Sequence, residues 1–338
     1  MDKDTNKSEE IEEIEKVEMD ICKDKIIRCI SSDGTVMASA IDSSNIVYIA
    51  KKLHHTSNVA TVSLGRLITA SSMMGAQLKQ SNASITLRLN GGGDLGPVIA
   101  VADSKGNCRG YVGNPACETT YYDNGKINVA QAIGTNGVLN VLRDYGSGEP
   151  YIGQTEIVTG EIAEDITNYY ATSEQIPTVC GLGVLLGKED GEVLLAGGIL
   201  IQLLPAADEN TISQIEKNIA NLESVTTMLA KGMTALEICK KALTGFDVEV
   251  LDEMEVGYVC TCSRDKVLNA IRLLSDEDIR SLADEKGYAK ANCHFCNKNH
   301  RFTKGQLEDI IKSKAKWVNK IIAITWQISY DFIYYIKS

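Results

Sequence analysis

The chain has 338 residues and carries 34 Lys+Arg against 45 Asp+Glu, a formal net charge of −11, with 44% apolar and 23% charged residues. That composition excludes wholesale disorder and collagen-like or low-complexity chains, and the acidic balance argues against a general nucleic-acid binder, which needs a basic footprint to displace counterions. Ten cysteines are too sparse for a disulfide scaffold at this length; with no apolar signal stretch at the start, a reducing, cytoplasmic setting is expected.

Residues 1–24 hold ten acidic and four basic side chains and only a weak stripe of Ile11, Ile14 and Val17, which predicts a solvated N-terminal arm. From Lys25 the texture changes. Ile26–Ile30 reads as a strand, Ser32-Asp33-Gly34 as a turn and Val36–Ala40 as the returning strand of a hairpin. Ser43 or Ser44 caps a helix carrying Ile46, Val47, Ile49, Ala50 and Leu53, and a second helix spans 58–79. The small residues of the second helix predict close packing on a sheet. Strands follow over 84–90, 97–102, 108–113, 127–129, 137–142 and 153–158, punctuated by Gly, Asn and Asp. A helix through Tyr170 and two apolar strands, 178–187 and 192–204, complete the block. Residues 25–205 are thus expected to form an α+β core domain with a mostly antiparallel sheet and packed helices.

Residues 206–255 read as a linker. Asp208–Leu243 is helical by pattern, with Ile212, Ile215, Ile219, Leu222, Val225 and Leu229 spaced three or four apart and with Gly232 and Gly245 as interruptions. One apolar stripe of this kind must be buried against something. The acidic stretch 247–255 then leads into a small cysteine-rich domain, 256–304.

Here Cys260-Thr261-Cys262 is followed, after 30 residues, by Cys293-His294-Phe295-Cys296. Two close pairs joined by a short helical segment can converge on one tetrahedral centre, and Zn²⁺ accepts four thiolates in a closed shell with no position left for water. His294 or His300 could replace one sulfur in a Cys₃His site. So short a segment builds no robust core alone, and a metal would supply folding free energy. Neighbouring thiolates of this kind can also oxidise to disulfides and eject the metal, which supports a redox switch. The remaining cysteines (Cys22, Cys29, Cys108, Cys117, Cys180, Cys239) are scattered and read as small core or surface residues.

Enzyme signatures fail on inspection. Gly91-Gly92-Gly93-Asp94-Leu95-Gly96 has the spacing of a dinucleotide fingerprint, but the strand-like Pro97–Val101 follows where a helix is required, so a glycine turn is expected. His54 and His55 end a helix without a paired nucleophile. Glu161, Glu164 and Asp165 fit the electrostatics of a helix N-terminus. No catalytic residue is assigned, and the protein is expected not to be an enzyme.

Several stretches together carry a resemblance: Leu64-Gly65-Arg66 with Met73-Met74; Gly91-Gly92-Gly93 to Gly96-Pro97; Arg109-Gly110-Tyr111-Val112-Gly113-Asn114-Pro115; Gly160–Asp165 with Ser173-Glu174-Gln175-Ile176-Pro177; and the C-x-C…C-x-x-C end. From about Lys25 to Gly305 the chain resembles the thirty-three-kilodalton heat-shock protein family, the redox-regulated holdase chaperones also labelled 33 kDa chaperonins. The resemblance implies an ATP-independent chaperone whose core domain dimerises. Cys260, Cys262, Cys293 and Cys296 would hold one Zn²⁺ per chain in the reduced, inactive form. Oxidation would join Cys260 to Cys262 and Cys293 to Cys296, release the metal, and unfold the zinc domain and the linker. The stripe of Ile212, Ile215, Ile219, Leu222 and Leu229 would then capture unfolding client proteins and prevent their aggregation.

The arm 1–24 is longer than the family pattern needs, and the apolar tail 305–338, with Trp317 and Trp326, is atypical. Asn319, Lys320 and Asp331 interrupt any membrane-spanning run in it, and no function is assigned to it. No nucleic-acid or membrane partner is expected. The alternative, a zinc-ribbon RNA- or ribosome-binding protein, is disfavoured by the net charge, because 256–304 carries a balance of only nine basic to six acidic residues.

Overall fold

The computed structural model describes residues 24–321. The expectations for the arm (but for its last residue, Asp24) and for the end of the tail lie outside the described residues. The core opens with the expected hairpin, β1 (Asp24–Ser31) and β2 (Val36–Asp42), turned at Gly34 with φ 71°. Helices α1 (Ser44–His54) and α2 (Asn58–Gly75) follow. Next come β3 (Ser84–Asn90), β4 (Val98–Asp103) and β5 (Cys108–Val112). The stretch 127–129, expected as a strand, instead leads into a short helix, α3 (Val129–Ile133), capped by Asn128. β6 (Val138–Asp144), β7 (Tyr151–Glu156), α4 (Ala163–Tyr169), β8 (Thr178–Leu186) and β9 (Val193–Leu203) complete the block.

The strands form two five-stranded antiparallel sheets, and α2 lies against strands of both. Almost every side chain of α2 is buried, which explains its small residues. A Cβ on Gly65 would lie 2.7 Å from Val47 Cγ1 of α1 and 2.9 Å from Val184 Cγ2 of β8. Arg66, the helix's charged residue, reaches Glu161 at 2.5 Å, and Glu161 also accepts from the Tyr122 hydroxyl. Asp165 accepts from the amides of Val158, Thr159 and Ile162 and so caps α4, which accounts for its carboxylate. The Gly91–Gly96 segment is a turn that feeds β4.

After the core the chain folds back over the first sheet. The expected helical stretch, interrupted at Gly232, is three short helices: α5 (Glu209–Ala220), α6 (Val225–Ala230) and α7 (Ala235–Ala242), N-capped by Asp208, Ser224 and Thr234. Each cap restarts the backbone where a side chain satisfies the free amides, and Gly232, at φ 80°, turns the chain between α6 and α7. Their apolar sides pack on Ile27, Cys29, Ala38, Ala40, Ile199 and Ile201. Next comes β10 (Val248–Val256), the acidic stretch that had read as a connection. It pairs with β1 along its whole length and makes the sheet order β10-β1-β2-β9-β8. Its acids have partners: Arg28 Nε donates to Asp252 at 2.8 Å and Lys25 meets Glu253 at 2.6 Å. Charge on an outermost strand also discourages pairing with other chains.

The cysteine-rich end contains α8 (Arg264–Ile271), α9 (Asp276–Ser281), the hairpin β11 (Tyr288–Asn292) and β12 (Asn299–Thr303), and α10 (Lys304–Ile321). Val267, Ile271, Ile279 and Phe302 make a small core. It runs on past residue 304, because Leu307 and Ile310 of α10 are buried in the same cluster.

Gly65→Ala should destabilise the core by about 1–3 kcal/mol, since the added methyl has no room between Val47 and Val184. Thermal unfolding followed by circular dichroism should show a lowered Tm. An unchanged Tm would mean that both valines yield freely.

Candidate metal centre

Two pieces of backbone bring the four cysteines together. After β10 the chain continues beside β5, with Cys108 N donating to Gly257 O at 3.0 Å and Val259 N to Cys108 O at 2.9 Å. This lays Cys260-Thr261-Cys262 along the second sheet. The other pair sits in the turn between β11 and β12. There Asn297 N and Cys296 N both donate to Cys293 O, at 2.7 and 3.3 Å, and Cys293 N donates to Lys298 O at 2.9 Å. Asn297 closes the turn at φ 56°, a left-handed conformation that asparagine tolerates better than most residues.

The four sulfurs all lie within 4.8 Å of one another, with Cys260 and Cys293 3.6 Å apart and Cys262 and Cys296 3.5 Å apart. A tetrahedral zinc with bonds of about 2.3 Å places its sulfurs about 3.8 Å apart, whereas a disulfide is about 2.05 Å long. The set therefore has the dimensions of a four-thiolate metal site with no protein-free position. His294 and His300 stand outside it. The ring of His294 lies 5.3 Å from that of Tyr111, and His300 is buried in β12 opposite Ala291. The two short contacts run between the cysteine pairs rather than within them, so proximity alone does not select the partners of an oxidised form.

Crowding shapes the acidity of these thiols. Burial pushes Cys262 up to about 12, with the neighbouring Cys293 adding to the effect. Hydrogen bonds with Cys260 and Cys293, helped by burial, push Cys296 up strongly. Four thiolates cannot share this space unaided, and a divalent cation at the centre reverses that balance. The donor set is soft and closed, which suits a structural Zn²⁺.

The cluster also rests on the core. Val101 packs with Cys293 and Phe295, flanked by Ile99 and Tyr111. The Arg109 guanidinium lies 4.9 Å from the Phe295 ring centre. Tyr258 joins the two parts: its hydroxyl lies 2.8 Å from Gly110 O, 2.5 Å from Phe295 O and 3.1 Å from His54 Nε2. Burial pushes this phenol up and the His54 imidazole down, so both stay neutral at pH 7. Asn297 Nδ2 donates to Leu53 O at the end of α1. Tyr258 and Asn297 did not stand out in the sequence, because a lone tyrosine or asparagine in a loop carries no spacing signal.

The linker residues separate. Ile215 and Leu229 are buried against the first sheet, and Ile219 and Leu222 pack at its margin, but Ile212 is 38% exposed. No described helix is long and apolar enough to cross a membrane.

Comparison with known proteins decides the family. The model of the Hsp33 protein family matches residues 24–303. The chain belongs to the Hsp33 family. A 33 kDa chaperonin of Clostridioides difficile is 44% identical over 290 residues, spanning 86% of this chain and 99% of the relative. A 33 kDa chaperonin of Acetivibrio thermocellus is 42% identical over 290 residues, 86% of this chain and 97% of the relative. The crystal structure of the 33 kDa chaperonin of Thermotoga maritima superposes with a TM-score of 0.78 at 33% identity, covering 87% of this chain and all of that one. The chain therefore has the α+β fold of its relatives, which are named as chaperonins.

Tyr258→Phe should loosen the seat of the cluster by about 1 kcal/mol, the worth of a partly buried hydrogen bond. Hydrogen exchange over 258–262 and 293–298 should quicken about fivefold while β8 and β9 stay as they were. Unchanged exchange would mean that the hydroxyl has no share in the docking.

Proposed function

We propose that this protein is a redox-regulated, ATP-independent holdase that binds unfolding and oxidatively damaged proteins and prevents their aggregation. The observation that carries this is a four-sulfur cluster seated on the core at the end of a linker whose apolar face covers a core sheet. In the reduced form Cys260, Cys262, Cys293 and Cys296 hold one Zn²⁺ per chain. When bound, the metal supplies folding free energy to a module whose own core is small.

Peroxide converts Cys260 and Cys262 to one disulfide and Cys293 and Cys296 to another, two thiols and one H₂O₂ giving one disulfide and two waters each time. The folded distances leave the pairing open, so the argument for local bridges is the unfolded chain. Closing a C-x-C or C-x-x-C ring costs less entropy than closing a loop of about thirty residues. With its thiolates consumed, the module loses a contribution on the order of 10 kcal/mol, more than the roughly 5 kcal/mol of a marginal domain. The seat at Tyr258 and Phe295 empties and β10 loses its anchor. The faces of Ile215, Ile219, Leu222 and Leu229, and of the sheet beneath them, become the client surface. Ile212, already exposed, lies at the edge of that surface. In this reading the protein works in the cytoplasm, as a homodimer when active, with unfolded proteins rather than nucleic acid or membrane as its partners.

Metal analysis of the reduced protein should give about one zinc per chain, lost in Cys293→Ser and kept in Cys180→Ser. Zinc retained in Cys293→Ser would require another ligand.

Light scattering of a heat-denaturing client should show suppression only after peroxide and mild heat. Peptide mapping should then find Cys260–Cys262 and Cys293–Cys296 bridges. Full activity in the reduced, zinc-bound protein, or bridges between Cys260 and Cys293, would sink the mechanism.

A further inference from the structure

Two cysteines outside the cluster meet where the linker lies on the core. Cys29 is on β1 and Cys239 is on α7, and both are 0% exposed. Ile27 and Cys29 face the same side of the sheet, where Ile238, Cys239 and Ala242 cover them. Cys239 Sγ lies 3.9 Å from the carbonyl oxygens of both Ile27 and Ala38. Ala38 is the residue opposite Cys29 in the β1–β2 ladder. The Cys239 sulfur thus sits over Ile27 and Ala38, the same-face and cross-strand neighbours of Cys29. The closeness of the two thiols draws Cys29 below its ordinary range and, together with burial, pushes Cys239 well above it. Cys29 and Cys239 are thus placed as an attacking and a resolving thiol across the seam between strand and helix.

We propose that Cys29 and Cys239 are a further redox pair, oxidised by peroxide to a disulfide that clamps the linker helix α7 to strand β1. The Cys29 thiolate attacks one peroxide oxygen. The O–O bond breaks, the departing hydroxide takes up a proton as water, and Cys29 is left as a sulfenic acid. Cys239 sulfur then attacks the Cys29 sulfur, the S–O bond breaks, and the hydroxyl leaves as a second water with the Cys239 proton. In sum, two thiols and one H₂O₂ give one disulfide and two waters.

Burial sets the order. The oxidant reaches Cys29 only when α7 lifts, and the bond closes as α7 settles back on β1, whereas Cys260, Cys262 and Cys296 are partly exposed from the start. The consequence is opposite in sign to that at the metal centre. Oxidation there frees the end of the linker; oxidation here holds its middle on the sheet and limits how much of it is released. The effect on the linker rests on the switch proposed above, but formation of the bond does not.

The test uses full-length protein purified with zinc, treated with hydrogen peroxide at mild heat, alkylated, and digested with trypsin without reduction. The tryptic peptides Cys29–Lys51 and Gly232–Lys240 each contain one cysteine, so their joined mass reports the bond. The expected result is the joined peptide, appearing after metal release. Brief digestion of the native oxidised protein should cut after Lys231 and Lys240 at least about tenfold more slowly than in oxidised Cys239→Ala. Cys29→Ala on the strand serves as the second variant. Each variant is compared reduced and oxidised, so that loss of packing alone cancels. Alkylated, unjoined Cys29 and Cys239 in protein whose cluster cysteines have oxidised would overturn the proposal, as would equal cleavage of bridged and variant protein. A joined peptide in protein whose cluster cysteines stay reduced would support the pair and count instead against the zinc-site switch.

Discussion

Four sulfurs held within 4.8 Å of one another impose the central constraint on this molecule. As neutral thiols they are crowded and weakly bonded; as thiolates they repel unless a cation lies among them. The loops that carry them have little else to hold their shape. The cluster is therefore the point at which a small chemical change has the largest structural effect. Everything C-terminal to β10 hangs from it, and it rests on the core through a few side chains around Tyr258 and Phe295.

In the proposed mechanism the linker would convert that local event into a change of surface. Its helices are short, individually capped and amphipathic, and none would persist in water without the sheet beneath it. The sheet face needs the helices equally, because Ala38, Ala40, Ile199 and Ile201 would otherwise stand in solvent. Each side is the other's cover, so the apolar faces of both stay out of solvent while the linker is docked. The thiol pair at Cys29 and Cys239 lies in the middle of this shared seam.

Much of this was legible in the sequence. The hairpin at Ser32-Asp33-Gly34, the close-packed α2 and the two cysteine pairs all announce themselves through local chemistry: a turn residue with positive φ, missing side-chain volume, and ligand spacing. The misreadings have physical causes. The acidic density of 248–256 hid a strand, because its apolar alternation is broken at Leu251-Asp252 and its charges are balanced by Arg28 and Lys25, more than two hundred residues away in the chain. Gly232 marks one break in the helical stripe of 208–243, but the stripe kept its period across the other, so only the cap at Ser224 separates the first two helices. Ile212 fits the stripe by spacing but is left out of the cluster on the sheet. Leu307 and Ile310 were assigned to a tail, because nothing in their sequence shows that Phe302 and Ile279 wait for them. The meeting of Cys29 with Cys239 depends on a linker folding back on itself, which no spacing rule can express.

The antiparallel register of β10 has a mechanical consequence. Its last residue, Val256, pairs with Asp24, and the chain leaves that end directly for the cysteine module. A module drifting away from the core pulls on the strand at its terminal rung, at right angles to the ladder. Load applied in that direction falls on one rung at a time, as in peeling tape, whereas a pull along the strand would strain every rung together. Peeling needs little force and stops wherever the adhesion is stronger, and the Lys25–Glu253 and Arg28–Asp252 pairs, part-way along the strand, are the first such places.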